Sequence, residues 1–255
     1  MSELYTLNSY GNAELTIDDI KYEIITDTNI ILNTLDDYSN KLAQTNWRIY
    51  FNVKASDVKN WLLKANQILV NSEISAGAKC LKTNRYVGFD LGLDYYEGIQ
   101  QNERESQFYK ESGVRIRNYL TTLNASEKST VAHLFKGAVF DGYENRKIFQ
   151  RLISLQYLNC FLKGYKYVLG EPGSPKAQSA LLNNHPGDYM KIIDKAYFYD
   201  YEENGVKIIA PRTEKYPKPT IITTMHTLDK YITFHKSKFD NKLKNRILSI
   251  SRNLL

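Results

Sequence analysis

The residues that decide the fold are HLFKGAVF (133–140), DGYEN (141–145), RKIFQRLISLQYLNCFLK (146–163) and GYKYVLGE (164–171). The first segment is apolar enough for a buried strand, the second is rich in turn formers, and the third repeats apolar residues close to helical spacing. Gly164 is expected to end the helix before a second strand. A strand, a helix and a strand make a parallel crossover, which binds ligands beyond the carboxyl ends of its strands. We therefore expect a site around residues 139–143, residues 171–174 and the helix start.

Length and composition favour one large domain with its own hydrophobic core. The chain has 255 residues, of which 42% are hydrophobic. No apolar run is long enough to span a membrane and the N-terminus lacks the regions of a secretory signal, so the sequence predicts a cytoplasmic protein. Cys80 and Cys160 fall in a predicted strand and a predicted helix. They are expected to be free buried thiols, with no metal site.

The net charge of +6 is concentrated near the C-terminus, where residues 226–255 hold seven Lys or Arg and two Asp. Apolar residues recur there at three- and four-residue spacing, which predicts a basic amphipathic helix. We favour a terminal helix packed on the domain with its charged face in water. The alternative is an arm that contacts nucleic acid or an anionic surface.

Further elements are predicted on both sides of the crossover. A hairpin is expected from residues 75–81 and 85–93, around Thr83 and Asn84. The predicted helices are 30–42, 57–69 with Ser56 as N-cap, and 174–182 with Ser174 as N-cap and Pro175 in the first position. The other predicted strands are 22–26 and a closing hairpin of 189–201 with 206–210. Residues 95–130 form a long connection, which we interpret as a lid.

Three stretches in this order resemble the GNAT superfamily of N-acyltransferases. Residues 77–91 (GAKCLKTNRYVGFDL) resemble its hairpin, and residues 138–152 (AVFDGYENRKIFQRL) resemble its strand, pyrophosphate loop and helix start. Residues 164–169 and 174–182 resemble the next strand and the helix beside the acyl-donor cleft. The resemblance implies an α/β fold, with an α+β-like mixed, twisted sheet that is splayed between two parallel strands and flanked by helices. It implies an acyltransferase domain in residues 1–210 and a helical extension, residues 211–255, packed on it.

The resemblance implies acetyl-coenzyme A, or another acyl-coenzyme A, as acyl donor. Its pyrophosphate would lie at the helix start, where backbone N–H groups and the helix dipole attract anions. Lys147 and Phe149 stand where the family has glycine, and Glu144 where it has a basic residue or Gln. Charge from Arg146 and Lys147 can offset this departure. The implied donor-binding residues are Val139, Phe140, Tyr143, Glu144, Asn145, Arg146, Lys147, Ile148, Phe149, Ser174 and Gln178.

The resemblance also implies a direct attack of an amine on the thioester in a ternary complex. A backbone N–H around Val139 and Phe140 would polarise the carbonyl. The family's acidic Tyr falls on Leu181, so the usual acid is absent. Glu171 is the candidate base and is equally well read as a turn carboxylate. His185 is a candidate acid, although a His in such a turn is more often simply solvated.

Asp94 and Glu97 are candidates to bind a cationic acceptor, with ordinary surface carboxylates as the alternative. The implied acceptor is a small-molecule or peptide amine. A homodimer is compatible with the resemblance, whereas a membrane or nucleic-acid partner is not expected. The competing hypothesis is a non-enzymatic protein of the same fold that binds nucleic acid or a protein partner. In that case residues 197, 199 and 201, all tyrosines, would act with the basic tail as a stacking platform.

Overall fold

The computed structural model describes residues 3–45, 52–97, 103–183, 188–197, 202–203, 206–207 and 220–253. The strands are β1 (Thr6–Leu7), β2 (Ala13–Ile17), β3 (Ile20–Ile24), β4 (Ala76–Cys80), β5 (Arg85–Asp94), β6 (Val131–Val139), β7 (Tyr167–Gly170), β8 (Met190–Tyr197), β9 (Glu202–Glu203), β10 (Val206–Lys207) and β11 (Thr220–Thr227). The helices are α1 (Thr28–Leu32), α2 (Leu35–Ala43), α3 (Ala55–Asn71), α4 (Glu103–Thr122), α5 (Ile148–Leu162), α6 (Pro175–Asn183), α7 (Leu228–His235) and α8 (Asn241–Asn253).

One mixed sheet organises the chain, in the order β1-β2-β3-β4-β5-β6-β7-β11-β8. β6 and β7 are parallel and the other neighbouring strands are antiparallel. β9 and β10 pair separately. The crossover β6–α5–β7 predicted from residues 133–171 is confirmed, as is the hairpin β4–β5 with Asn84 at a positive φ of 57°.

Helices cover both faces of the sheet. α5 packs across β2–β6 and against α7 on one face, which we call the α5 face. Its leucines share a core with Ala132 and Leu134 of β6. Helices α1, α2 and α3 cover the opposite face, which we call the α3 face. Their buried apolar residues share a second core with Phe89 and Leu91 of β5. The two faces of the sheet therefore pack against separate hydrophobic cores, because side chains of a strand point to both of its faces.

Helix α4 occupies the predicted lid. Ile116 and Leu120 are buried against Val131 and Leu169, which places this part of α4 on the α3 face beside β6 and β7. Arg115 anchors it to Asp194 of β8 through two hydrogen bonds of 2.8 and 2.9 Å. The C-terminal half of α4 is thus part of the packed core.

Several helix boundaries differ from those predicted. The predicted helix 30–42 is two helices, and the Thr34 hydroxyl donates to the carbonyl of Ile30 at 3.0 Å at their junction. α3 begins after Lys54, whose backbone N–H donates to Asp57 at 2.9 Å, rather than after the predicted N-cap Ser56. α5 begins at Ile148, two residues later than predicted.

The largest difference lies at the end of the sheet. β11 was not predicted, yet it lies between β7 and β8, and seven of its eight residues are buried. β8 pairs with β11, and the short antiparallel pair β9–β10 lies at the turn of the predicted closing hairpin of 189–201 with 206–210, while residues 198–201 and 208–210 lie outside the described residues. The sheet therefore continues past residue 210, and a boundary there would separate β11 from its neighbours.

The basic tail forms α7, a short 3₁₀ turn and α8. Leu243 is fully buried and Ile247 is 9% exposed in the core of the α5 face. Their burial matches the packed-helix interpretation. Cys80 and Cys160 are free and buried, as predicted. Among the described residues, no helix is long and apolar enough to cross a membrane and no metal-binding cluster occurs.

Candidate functional site

The candidate site is the opening between β6 and β7. The two strands pair only from Val131↔Tyr167 to Leu134↔Gly170, where β7 ends, whereas β6 continues to Val139. Phe135 is an extra residue of β6 opposite the Leu91/Gly92 step of β5, and such a bulge bends a strand. In the described part of the chain, residues 135–139 therefore have a strand on their β5 side and a cleft on their β7 side.

The exposed edge of β6 presents backbone donors to this cleft. Phe140 donates its N–H to the carbonyl of Val87 on β5 at 2.9 Å, so its N–H points away from the cleft. Backbone groups of successive strand residues point to opposite sides, so the N–H groups of Val139 and Gly137 face the opening. Of the two residues predicted to polarise a carbonyl, only Val139 is oriented for it, and Gly137 joins it.

A cleft of about 690 Å³ extends from this edge to the start of α5 and to α6. It contains eight of the eleven residues predicted to bind the donor, namely Val139, Tyr143, Glu144, Asn145, Lys147, Ile148, Phe149 and Ser174. Phe140, Arg146 and Gln178 do not line it. The Gln178 amide instead donates to the carbonyls of Pro172 at 3.1 Å and Thr220 at 2.8 Å, which ties α6 to β11.

Where the loop joins α5, its backbone has the left-handed conformation typical of glycine, although the residues there are not glycine. Asn145 and Lys147 have φ values of 64° and 60°, in the left-handed region, and Lys147 is the N-cap of α5. Left-handed residues turn the chain so that the first N–H groups of the helix face outward. The lysine in place of the family glycine thus preserves the turn and adds a positive charge at the helix start.

Lys41 neutralises the acidic residue of this loop. It reaches from α2 to Glu144 at 3.0 Å and also bonds Asp141. The hydrogen bond from Lys41 lowers the pKa of Glu144 to about 2, so this carboxylate stays ionised and paired. Arg146, by contrast, bonds Asp19 of the β2–β3 turn at 2.6 Å and is directed away from the cleft.

Two lysines remain for an anionic ligand. Lys147 at the start of α5 and Lys176 in α6 line facing walls of the cleft, and neither has an ion-pair partner among the described residues. Ser174 caps α6 as predicted, because its Oγ accepts the N–H of Ala177 at 3.2 Å. The cleft therefore combines a helix start with two lysines that lack an ion-pair partner in the described part of the chain, and this combination favours an anion.

At its inner end the cleft reaches a small pocket of about 70 Å³, formed where β6 and β7 part. We call it the inner pocket. Leu134, Ile153, Tyr157 and Leu181 close it. Leu181, at the position of the family's acidic Tyr, is 5% exposed and apolar.

Glu171 lines the inner pocket from the end of β7. Its Oε2 lies 2.7 Å from Nε2 of His133, off the direction of the ring N–H, so the groups touch without a well-aligned hydrogen bond. Both side chains are largely buried, at 4% and 13% exposed. From sequence, His133 is only the first residue of a predicted strand, because nothing in its local sequence links it to Glu171.

Aromatic rings surround this pair on the α3 face. Phe135 lies 5.2 Å from the His133 ring and 5.8 Å from Trp61, and Tyr95 lies 5.9 Å from His133, measured between ring centroids. An apolar wall beside a carboxylate suits an amine that carries an apolar group.

The other predicted acceptor residues lie elsewhere. The Asp94 carboxylate accepts the backbone N–H groups of Tyr96, at 2.8 Å, and of Ser129, so it holds the loop after β5. Glu97 lies 3.8 Å from Lys128, outside the cleft. His185 lies outside the described residues.

Asp90 is a site residue that was not predicted from the sequence. It lies on β5 opposite Gly137, is 3% exposed and lines the inner pocket from the α5 face. Burial raises its pKa well above the usual value of an aspartate. Its position could have been found only from the pairing of β5 with β6.

Solved structures of similar fold are numerous, and 165 chains match. The C-terminal condensation domain of Ebony, in complex with beta-alanyl-dopamine, superposes with a TM-score of 0.67 at 12% identity, over 82% of this chain and 99% of that one. Arylalkylamine N-acetyltransferase 2 from Aedes aegypti gives 0.65 at 12% identity, over 83% and 100%. The apo form of an agmatine N-acetyltransferase mutant gives 0.57 at 14% identity, over 82% and 100%.

No family model and no curated protein sequence matches the chain. The likeness is therefore one of architecture. This chain has the fold of the GNAT N-acetyltransferases, with the splayed parallel strands that the sequence predicted.

Proposed function

We propose that this protein transfers an acetyl group from acetyl-coenzyme A to the amine of a small acceptor, by direct attack in a ternary complex. The observation that carries the proposal is the opening between β6 and β7, which joins a lysine-lined cleft to an inner pocket containing Glu171. The fold supports it, because the similar structures include N-acetyltransferases of arylalkylamines and agmatine.

The cleft fits an acyl-coenzyme A donor. The pyrophosphate would lie at the start of α5, between Lys147 and Lys176, and the pantetheine arm would run along the free edge of β6. The inner pocket of about 70 Å³ holds roughly five to seven waters, at 10–15 Å³ of the same volume measure for each. That space suits an acyl group of a few heavy atoms and excludes a long chain.

The acceptor would approach from the α3 face, along the rings of Phe135 and Tyr95. Glu171 would take the amine proton as attack begins, and His133 would hold the carboxylate in place. The N–H groups of Gly137 and Val139 would stabilise negative charge on the carbonyl oxygen. Collapse of the tetrahedral intermediate would then break the carbon–sulfur bond.

Donor binding is tested by a matched pair of neighbouring substitutions. Lys147→Gln should weaken the Kd for acetyl-coenzyme A about tenfold, because it removes an unpaired cation from the phosphate site. Arg146→Gln should have a smaller effect, since this guanidinium is engaged with Asp19. Isothermal titration calorimetry measures both.

The two substitutions remove the same charge one residue apart, so any difference between them reflects position. The loss caused by Lys147→Gln should shrink at high salt, as expected for a charge contact. If the unmodified protein binds no acetyl-coenzyme A, the acyltransferase proposal is wrong.

A further inference from the structure

The proposed reaction leaves one proton unaccounted for on the donor side. The departing thiolate must be protonated, and the helix that supplies the acid in the family presents Leu181 here. Ser174 caps α6 through its hydroxyl oxygen, and an aliphatic hydroxyl is too weak an acid to serve as the proton donor. A proton donor must therefore come from another wall of the inner pocket.

Asp90 is placed in that wall. It belongs to β5, one strand away from the opening, and its carboxyl lies on the α5 face beneath β6. Its side chain is 3% exposed and has no hydrogen-bond partner among the described residues. A buried polar group without a partner is costly, so its presence at a ligand pocket points to a ligand as the partner.

Gly137 is what opens Asp90 to the pocket. A Cβ at position 137 would lie 2.7 Å from Asp90 Oδ1 and 2.2 Å from Cε2 of Phe149. The Phe149 ring and the Asp90 carboxyl thus share the space that a side chain at position 137 would fill. Because residue 137 also directs its backbone N–H to the cleft, Asp90 lies beside the part of β6 along which the thioester would be held.

We propose that Asp90 is the general acid that protonates the thiolate leaving group, in place of the tyrosine that the family has where this chain has Leu181. This inference rests on the proposed function. In the step, the amine nitrogen forms the new bond to the carbonyl carbon and its proton passes to Glu171. The carbon–sulfur bond breaks, its electron pair goes to sulfur, and sulfur takes the proton of Asp90. The Glu171 proton then returns to Asp90 through solvent in the cleft.

The electrostatics of the pocket support this division of roles. Burial between apolar side chains raises the pKa of Asp90 well above its usual value, which favours the protonated form that a general acid needs. The other titratable groups facing the inner pocket are Tyr157 of α5, Glu171 of β7 and Lys136 of β6, whose ammonium lies over the Trp61 ring on the opposite face. The two carboxyl groups therefore approach the reacting centre from opposite faces of the sheet.

The test compares Asp90→Asn with the unmodified protein on two donors, with phenethylamine as acceptor. With acetyl-coenzyme A, whose alkyl thiol is a poor leaving group, kcat should fall about 100-fold. With the acetyl ester of 4-nitrothiophenol, whose thiolate needs no proton to leave, the variant should match the parent. A purely structural role would lower both rates together.

A pH profile gives an independent readout. The kcat of the parent with acetyl-coenzyme A should fall as pH rises through the pKa of Asp90, because the acid is then ionised. The profile of Asp90→Asn should lack this alkaline limb. Asp94→Asn is the control, since Asp94 is another buried carboxylate of β5 that holds backbone N–H groups. It should lower the melting temperature without changing the ratio of rates on the two donors.

Two results overturn the assignment of Asp90. One is an unchanged kcat with acetyl-coenzyme A, and the other is an equal loss on both donors. A parent that neither binds acetyl-coenzyme A nor acetylates phenethylamine or agmatine would instead refute the proposed function, and this inference with it.

Discussion

Glu171→Gln should lower kcat by about 10²- to 10⁴-fold while leaving the Kd for acetyl-coenzyme A near that of the parent. The carboxylate faces the inner pocket from the end of β7, so it can take a proton from the amine but has no place in the phosphate end of the cleft. The glutamine keeps the shape of the side chain and removes only the base. Steady-state kinetics with calorimetry of the donor separate the two effects.

Glu97→Gln is the matched control for this substitution. Glu97 is also a glutamate and was predicted from sequence as an acceptor-binding residue, but it lies near Lys128 outside the cleft. It should leave kcat unchanged. His133→Gln should fall between the two, because it loosens the Glu171 carboxylate without removing it. Equal rates for Glu171→Gln and the parent across pH would remove Glu171 from the mechanism.

The parts of the fold that were predicted from sequence depend on local patterns. The crossover β6–α5–β7 follows from an apolar strand, helical spacing and a glycine stop, and the β4–β5 hairpin follows from its turn residues. β11 was not predicted because its sequence, TIITTMHT, is rich in polar residues. Those residues are buried because they bond one another and their neighbours: Thr224 donates to the Gly170 carbonyl at 3.2 Å and lies 3.1 Å from His226 Nε2. Such pairing cannot be read from one strand alone.

The candidate site was likewise predicted only in part from the sequence. The residues of the loop and helix start were found because they are consecutive in the chain. The contacts Lys41–Glu144, Arg146–Asp19 and His133–Glu171 join distant segments, and each changes the role of a residue named from sequence. Lys41 offsets the negative charge of Glu144, and Arg146 is engaged with Asp19 rather than free to contact a phosphate.

Leu243→Asp should lower the free energy of unfolding by about 2 to 4 kcal/mol, because it places a charge in an apolar core. Leu243 is fully buried where α8 meets the α5 face, and its backbone N–H is held by Asp240 at 2.7 Å. The start of the chain is tied to the same place, since the backbone N–H of Tyr5 donates to the Lys238 carbonyl at 2.8 Å. A charge at position 243 therefore disturbs both ends of the domain.

Leu248→Asp is the control, because Leu248 lies on the same helix and is 53% exposed. This substitution also replaces a leucine by an aspartate, and it should change the free energy of unfolding little. Urea titration and thermal melting of the two variants decide between the interpretations of the tail, since an arm that only contacts nucleic acid or an anionic surface would tolerate both substitutions equally. Equal melting of Leu243→Asp and the parent would mean that α8 contributes no packing energy. A large loss for Leu243→Asp alone would show that the apolar residues of the basic tail stabilise the domain by packing on it.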